Sequence, residues 1–80
     1  MITQADIDNW FSYHAPDVGQ QATYAGIRLG AKEFAEYLNS VLPDCADKTV
    51  VFRKLRELVM CANQTIACNP AVEEYLSILI

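Results

Sequence analysis

Tyr24, Ile27, Ala31, Phe34, Leu38 and Val41 recur at alternating steps of three and four residues. That spacing keeps them on one side of an α-helix for nearly three heptads, a coiled-coil-like stripe. A second stripe lies further along: Val51, Leu55, Leu58, Ala62 and Thr65, flanked by Phe52, Val59 and Ile66. Between the two, "LPDCAD" breaks the pattern at Pro43, and Asp44 or Asp47 can cap the next helix. Two long amphipathic helices joined by a short loop predict an antiparallel hairpin.

A short helix should precede the hairpin. Thr3 is a good N-cap with Asp6 three residues on, and Ile2 can staple onto Ile7. The helix is expected to run to about His14 and to stop before Pro16. Asp17 then caps the first hairpin helix, with Gln20 at the matching capping-box position. After the hairpin, Asn69 caps and Pro70 opens a last short helix, "AVEEYLSILI". The expectation is one all-α domain over residues 1–80, with 69–80 as a C-terminal extension.

A chain of 80 residues is small. It buries only roughly 60–65% of its unfolded surface, so a single core is marginal. The three cysteines form no CxxC pair, and with no signal peptide they read as reduced thiols of a cytosolic protein. One histidine argues against a Cys/His zinc site, and no metal or cofactor is expected. Self-association is the remaining remedy, and a hydrophobic content of 52% suits it. No apolar run approaches the ~18 residues that span a bilayer, so no membrane partner is expected. A net charge of −4 argues against general binding to DNA, yet leaves room for a local basic site that holds a small anion.

Three stretches carry candidate chemistry. In "WFSYHAP", residues 10–16, helical spacing puts Ile7, Trp10, Phe11 and His14 on one face and Asp6, Asn9 and Tyr13 on another. The core can absorb Trp10, Phe11 and the His14 ring, which leaves Tyr13 over. Tyr13 is then either a half-exposed tyrosine with its hydroxyl in water or a stacking platform for a flat ligand. His14 is the one candidate general base, but a lone His on an apolar face is usually a satisfied core histidine. In "GIRLG", Gly26 and Gly30 stand four apart in mid-helix, away from the apolar stripe and on a face shared with Tyr37. Each costs about 1 kcal/mol against Ala there, and small residues so spaced let another backbone or a ligand come close. Arg28 lies between them, with Lys32 one turn on. In "FRKLRE", Arg53 and Arg56 share a stripe with Met60 and Asn63 while Lys54 points elsewhere. That stripe is either a solvated charged face or a partly buried interface that grips an anion, arginine offering bidentate phosphate recognition. No P-loop, HExxH motif or nucleophile elbow is present, and no catalytic constellation, so no enzyme is expected. Arginines plus an exposed aromatic ring describe binding of a phosphorylated aromatic small molecule.

"ADIDNWFSYHAP", "IRLGAKEFAEYL" and "FRKLRELVMCANQTIAC" together resemble the small phage proteins of the anti-CBASS sponge family, whose helical-hairpin domain is shared with some anti-Thoeris sponges. The resemblance covers nearly everything from Ala5 to Cys68. It implies a phage-encoded protein acting in the cytoplasm of the infected bacterium, which binds cyclic oligonucleotide signals without hydrolysis and silences the host's effectors. It further implies a homohexamer with two kinds of pocket. The first, for cyclic dinucleotides such as cGAMP, takes an aromatic ring near the end of the first helix and a basic residue on the second. Tyr13 and Arg28 stand at those positions, with Lys32 beside them. The second, for cyclic trinucleotides such as cyclic tri-adenylate, draws arginines from several subunits, and Arg53 and Arg56 are the candidates.

Two other functions compete with that reading. One is a small helical inhibitor that blocks a host enzyme through its tail or its glycine face. The other is a DNA-binding regulator, which the negative charge and the lack of a turn-linked recognition helix disfavour.

Overall fold

The computed structural model describes residues 1–69. Among them are three helices, α1 (Gln4–Trp10), α2 (Val18–Val41) and α3 (Ala46–Cys68), and no strand. The class is all-α, with a short helix leading into a helical hairpin. Asn69 is the C-cap of α3, and the helix expected beyond it lies outside the described residues.

Two of the expected caps form in full. Thr3 Oγ1 accepts from the Asp6 backbone N–H at 3.1 Å while Asp6 Oδ2 accepts from the Thr3 N–H at 2.8 Å. Asp17 and Gln20 make the same reciprocal pair at 2.8 and 3.1 Å. Each box satisfies two N–H groups that the first turn cannot serve itself. The start of α3 departs from expectation. Its N-cap is Cys45, which makes no side-chain cap bond, rather than Asp44 or Asp47. The Asp44 carboxylate is engaged by Lys48 Nζ at 2.8 Å, and Asp47 falls inside the first turn, where its charge still meets the positive end of the helix.

α1 also stops earlier than expected, at Trp10 instead of near His14. Side chains take the carbonyls that a continuing helix would need. The Ser12 hydroxyl donates to the Asp8 carbonyl, and His14 Nε2 donates to the Asn9 carbonyl at 2.6 Å. Those are the acceptors for the Ser12 and Tyr13 N–H groups in an α-helix, so the ladder ends there. The face expected to unite Ile7, Trp10, Phe11 and His14 therefore does not form. Phe11 is 84% exposed and Trp10 42% exposed, so the core does not absorb them. Ile2 and Ile7 remain exposed as well.

α2 and α3 are about 36 and 34 Å long at 1.5 Å per residue. They pack antiparallel, with Gln20 Nε2 donating to the Ile66 carbonyl at one end and Lys48 Nζ to the Asn39 carbonyl at the other. Their inward seam drifts from the expected stripe. Phe34 and Val41 point to solvent, and Ala35 and Leu42 are half-buried in their place. On α3, Leu58 and Thr65 are exposed while Val59 and Ile66 turn inward. A strict 3.5-residue reading runs ahead of a 3.6-residue helix by about 20° per heptad, and nothing supercoils this short pair enough to restore it. The result is an open pair of helices, in which Cys68 is the one buried residue among those described.

Candidate functional site

One side of the hairpin gathers most of the positive charge. Arg28 and Lys32 of α2 and Arg56 and Met60 of α3 line a groove of about 420 Å³, with Ala31, Ala35, Leu55 and Val59 in its floor. The two alanines are too small to fill the space opposite the longer side chains of α3, which is why a groove forms there. A second groove of about 490 Å³ is lined by Lys48, Thr49, Arg53 and Arg56, with Asn39 and Asp44. Phe52 and Arg56 belong to both, so the grooves adjoin along one flank. Of the six Lys and Arg residues in the chain, five (Arg28, Lys32, Lys48, Arg53, Arg56) line these two grooves. The sixth, Lys54, faces away and meets Glu57 Oε2 at 3.4 Å.

The five cations are not equivalent. Lys48 Nζ is committed to Asp44 Oδ1 at 2.8 Å and to the Asn39 carbonyl at 3.2 Å. Its hydrogen bond, and then its charge, hold the Asp44 carboxyl below the usual value. Among the described residues, Arg28, Lys32, Arg53 and Arg56 form no ion pair. Three of them, Arg28, Lys32 and Arg56, surround the apolar floor, which suits a ligand that carries phosphates and flat apolar faces, because guanidinium forks match phosphate oxygens while the floor takes the faces.

Two placements stand out among the expected site residues. Arg28 and Lys32 meet Arg56 in a single groove, although the resemblance gives them to different ligands. Tyr13 lines neither groove of its own chain. It stands 88% exposed in the segment between α1 and α2. His14 is half-buried, and because a carbonyl can only accept, its Nε2 carries the proton that bonds Asn9. That is the geometry of a structural histidine. Gly26 and Gly30 make no close approach within the chain, since a Cβ on either would meet nothing within 4 Å, and the face they share with Tyr37 lies open. Among the described residues no group of His, Cys, Asp and Glu could hold a metal ion, and no helix is long and apolar enough to cross a membrane.

Phe52 and Lys48 are groove residues that sequence reasoning misses. Phe52 reads as a flank of the apolar stripe, and Lys48 carries no motif that singles it out. The available signal is the i, i+4 row Lys48–Phe52–Arg56, which puts all three on one ridge of α3.

No curated protein and no solved structure matches the chain. A family model does, the one described as "Acb2/Tad1, hairpin domain", over residues 3–67. The match begins at the α1 cap, crosses both hairpin helices and takes in all five cations of the grooves. With 65 of 80 residues covered, the chain belongs to the Acb2/Tad1 hairpin family, the family of anti-CBASS and anti-Thoeris sponges.

Proposed function

We propose that the chain is a non-catalytic sponge that binds cyclic di- and trinucleotide second messengers and withholds them from the effectors of CBASS defence. The observation that carries this reading is the segregation of charge. A chain of net charge −4 places five of its six cations on two adjoining grooves, one of them with an apolar floor. Family membership supports the same role, and supports binding rather than turnover. In this reading Arg28 and Lys32 meet the phosphates of a cyclic dinucleotide and Tyr13 of another subunit stacks on a base. Arg53 serves the cyclic trinucleotide, and Arg56, which lines both grooves, serves either ligand. The protein acts in the cytoplasm of the infected bacterium, as a phage product.

A homohexamer is part of the proposal. Leu29, Phe34, Tyr37, Val41 and Leu58 are all more than half exposed in one chain, apolar surface that neighbouring subunits can cover. Tyr13 also needs a second chain to meet the cations. Sequestration then works by mass action, with sites that outnumber the signal and bind it more tightly than the effector does. Pockets preformed between subunits favour this, because little ordering cost remains when ligand arrives.

The test is purification from a strain that makes cyclic nucleotides, then denaturation and chromatography of the released material. Intact cyclic nucleotide is the expected result. A protein that releases none, and gives no heat on titration with cyclic di- or trinucleotides, overturns the reading. Capture of a host polypeptide by such an empty protein would favour the enzyme-inhibitor alternative.

A further inference from the structure

The corner where the three helices meet presents an apolar surface that the hairpin does not cover. Asn9 at the end of α1 and Gln20 at the start of α2 both bond the last turn of α3, through the Cys68 and Ile66 carbonyls. Flanking those two residues, Trp10 is 42% exposed, Phe11 84% and Val18 81%. The chain leaves α3 at this same corner, because Cys68 ends the helix and Asn69 caps it. Beyond Asn69 the sequence reads "PAVEEYLSILI", residues 70–80, with Val72, Tyr75, Leu76, Ile78, Leu79 and Ile80 among eleven positions.

We propose that residues 70–80 dock on the Trp10, Phe11 and Val18 corner of their own chain and strap α1 onto the hairpin. Reach is no obstacle. Asn9 lies within hydrogen-bond distance of Cys68, and eleven residues span about 16 Å as a helix or up to about 40 Å extended. The exposed side chains of Phe34, Tyr37 and Val41 lie toward the far end of α2 from this corner, whereas Ile7 of α1 lies beside it. An apolar segment leaves water at the nearest apolar surface it can cover, and here that surface is the aromatic corner. The two carboxylates of the segment, Glu73 and Glu74, sit close to its start and can stay in water while the later residues cover the rings. The segment lies beyond the family match at 3–67, so this docking adds to the ligand-binding reading and does not depend on it.

Trp10 is the one tryptophan of the chain, so its fluorescence reports on this corner alone. The 80-residue chain should show a blue-shifted emission with shallow acrylamide quenching. Leu76→Asp with Leu79→Asp should red-shift the emission and steepen the quenching while far-UV circular dichroism keeps the hairpin's helicity. Emission that the double substitution leaves unchanged overturns the proposal. So does protection of Trp10 that disappears on dilution, which would make the cover a second copy. Hydrogen exchange on the unmodified chain needs no variant: slowed amides within 72–80 support the strap, and exchange at free-peptide rates overturns it.

Discussion

Asn9 and Cys68 are joined in both directions across 59 positions of sequence. Asn9 Nδ2 donates to the Cys68 carbonyl at 3.0 Å, and Cys68 Sγ donates to the Asn9 carbonyl at 3.8 Å. The same Asn9 carbonyl accepts from His14, so one residue ties the end of α1 to the last turn of α3 and to the segment leading into α2. Asn9→Ala removes the amide and leaves the Cys68 carbonyl without that donor. The expected cost is about 1–3 kcal/mol, read as a lower midpoint in urea unfolding at unchanged m-value. An unchanged midpoint would mean that α1 is held by something other than this pair.

Tyr13→Ala should weaken cyclic dinucleotide binding by about 1–3 kcal/mol, the usual worth of a stacked base. The fold should survive, because the ring is 88% exposed. Calorimetric titration beside circular dichroism checks both halves. Normal affinity would remove Tyr13 from the site.

Arg56 lines both grooves, so Arg56→Ala should weaken cyclic di- and trinucleotides together, by about 1.5–3 kcal/mol for each charge-assisted hydrogen bond removed. Arg28→Ala should act on the dinucleotide and Arg53→Ala on the trinucleotide, since each lines one groove alone. Sizing every variant before titration separates weakened ligand binding from a broken assembly. Wild-type affinity for both ligands in an intact Arg56→Ala oligomer would exclude the flank as their site.

Gly30→Leu tests the open face of α2. Among the described residues a Cβ at this position meets nothing within 4 Å, and leucine is the better helix former, so helicity should hold or rise. The mass from light scattering should nevertheless fall, because the added bulk stands where a neighbouring subunit is proposed to come close. An unchanged mass would place the subunit contacts elsewhere.

Asp44 should titrate below its ordinary value of 3.8, because the folded state gives its carboxylate the Lys48 hydrogen bond and charge. A depressed folded pKa contributes stability that is present above that ordinary value and lost as pH falls through the folded one. Following the Asp44 carboxyl by NMR should show the low midpoint, and Lys48→Met should return it to the ordinary range. A midpoint that ignores Lys48→Met would show the ion pair absent in solution.

The hairpin and its caps were legible in the residues alone, because both depend on near neighbours. Thr3 with Asp6 and Asp17 with Gln20 satisfy the first turn from three positions away, and a run of apolar residues every three or four positions leaves few alternatives to a helix. Arg28, Lys32, Arg53 and Arg56, which line the two grooves, also stand out from the residues alone in an acidic chain. Tertiary structure decided which of them meet. A small change in helical phase turned Phe34 outward and Ala35 inward, and the space left opposite Ala31 and Ala35 became the groove where α2's Arg28 and Lys32 face α3's Arg56. The end of α1 was likewise out of local reach. Ser12 and His14 could have continued the helix, and bonding back to the Asp8 and Asn9 carbonyls competes closely with doing so. The pairing of Asn9 with Cys68, which no local pattern announces, comes from the far end of the hairpin folding back to the start of the chain.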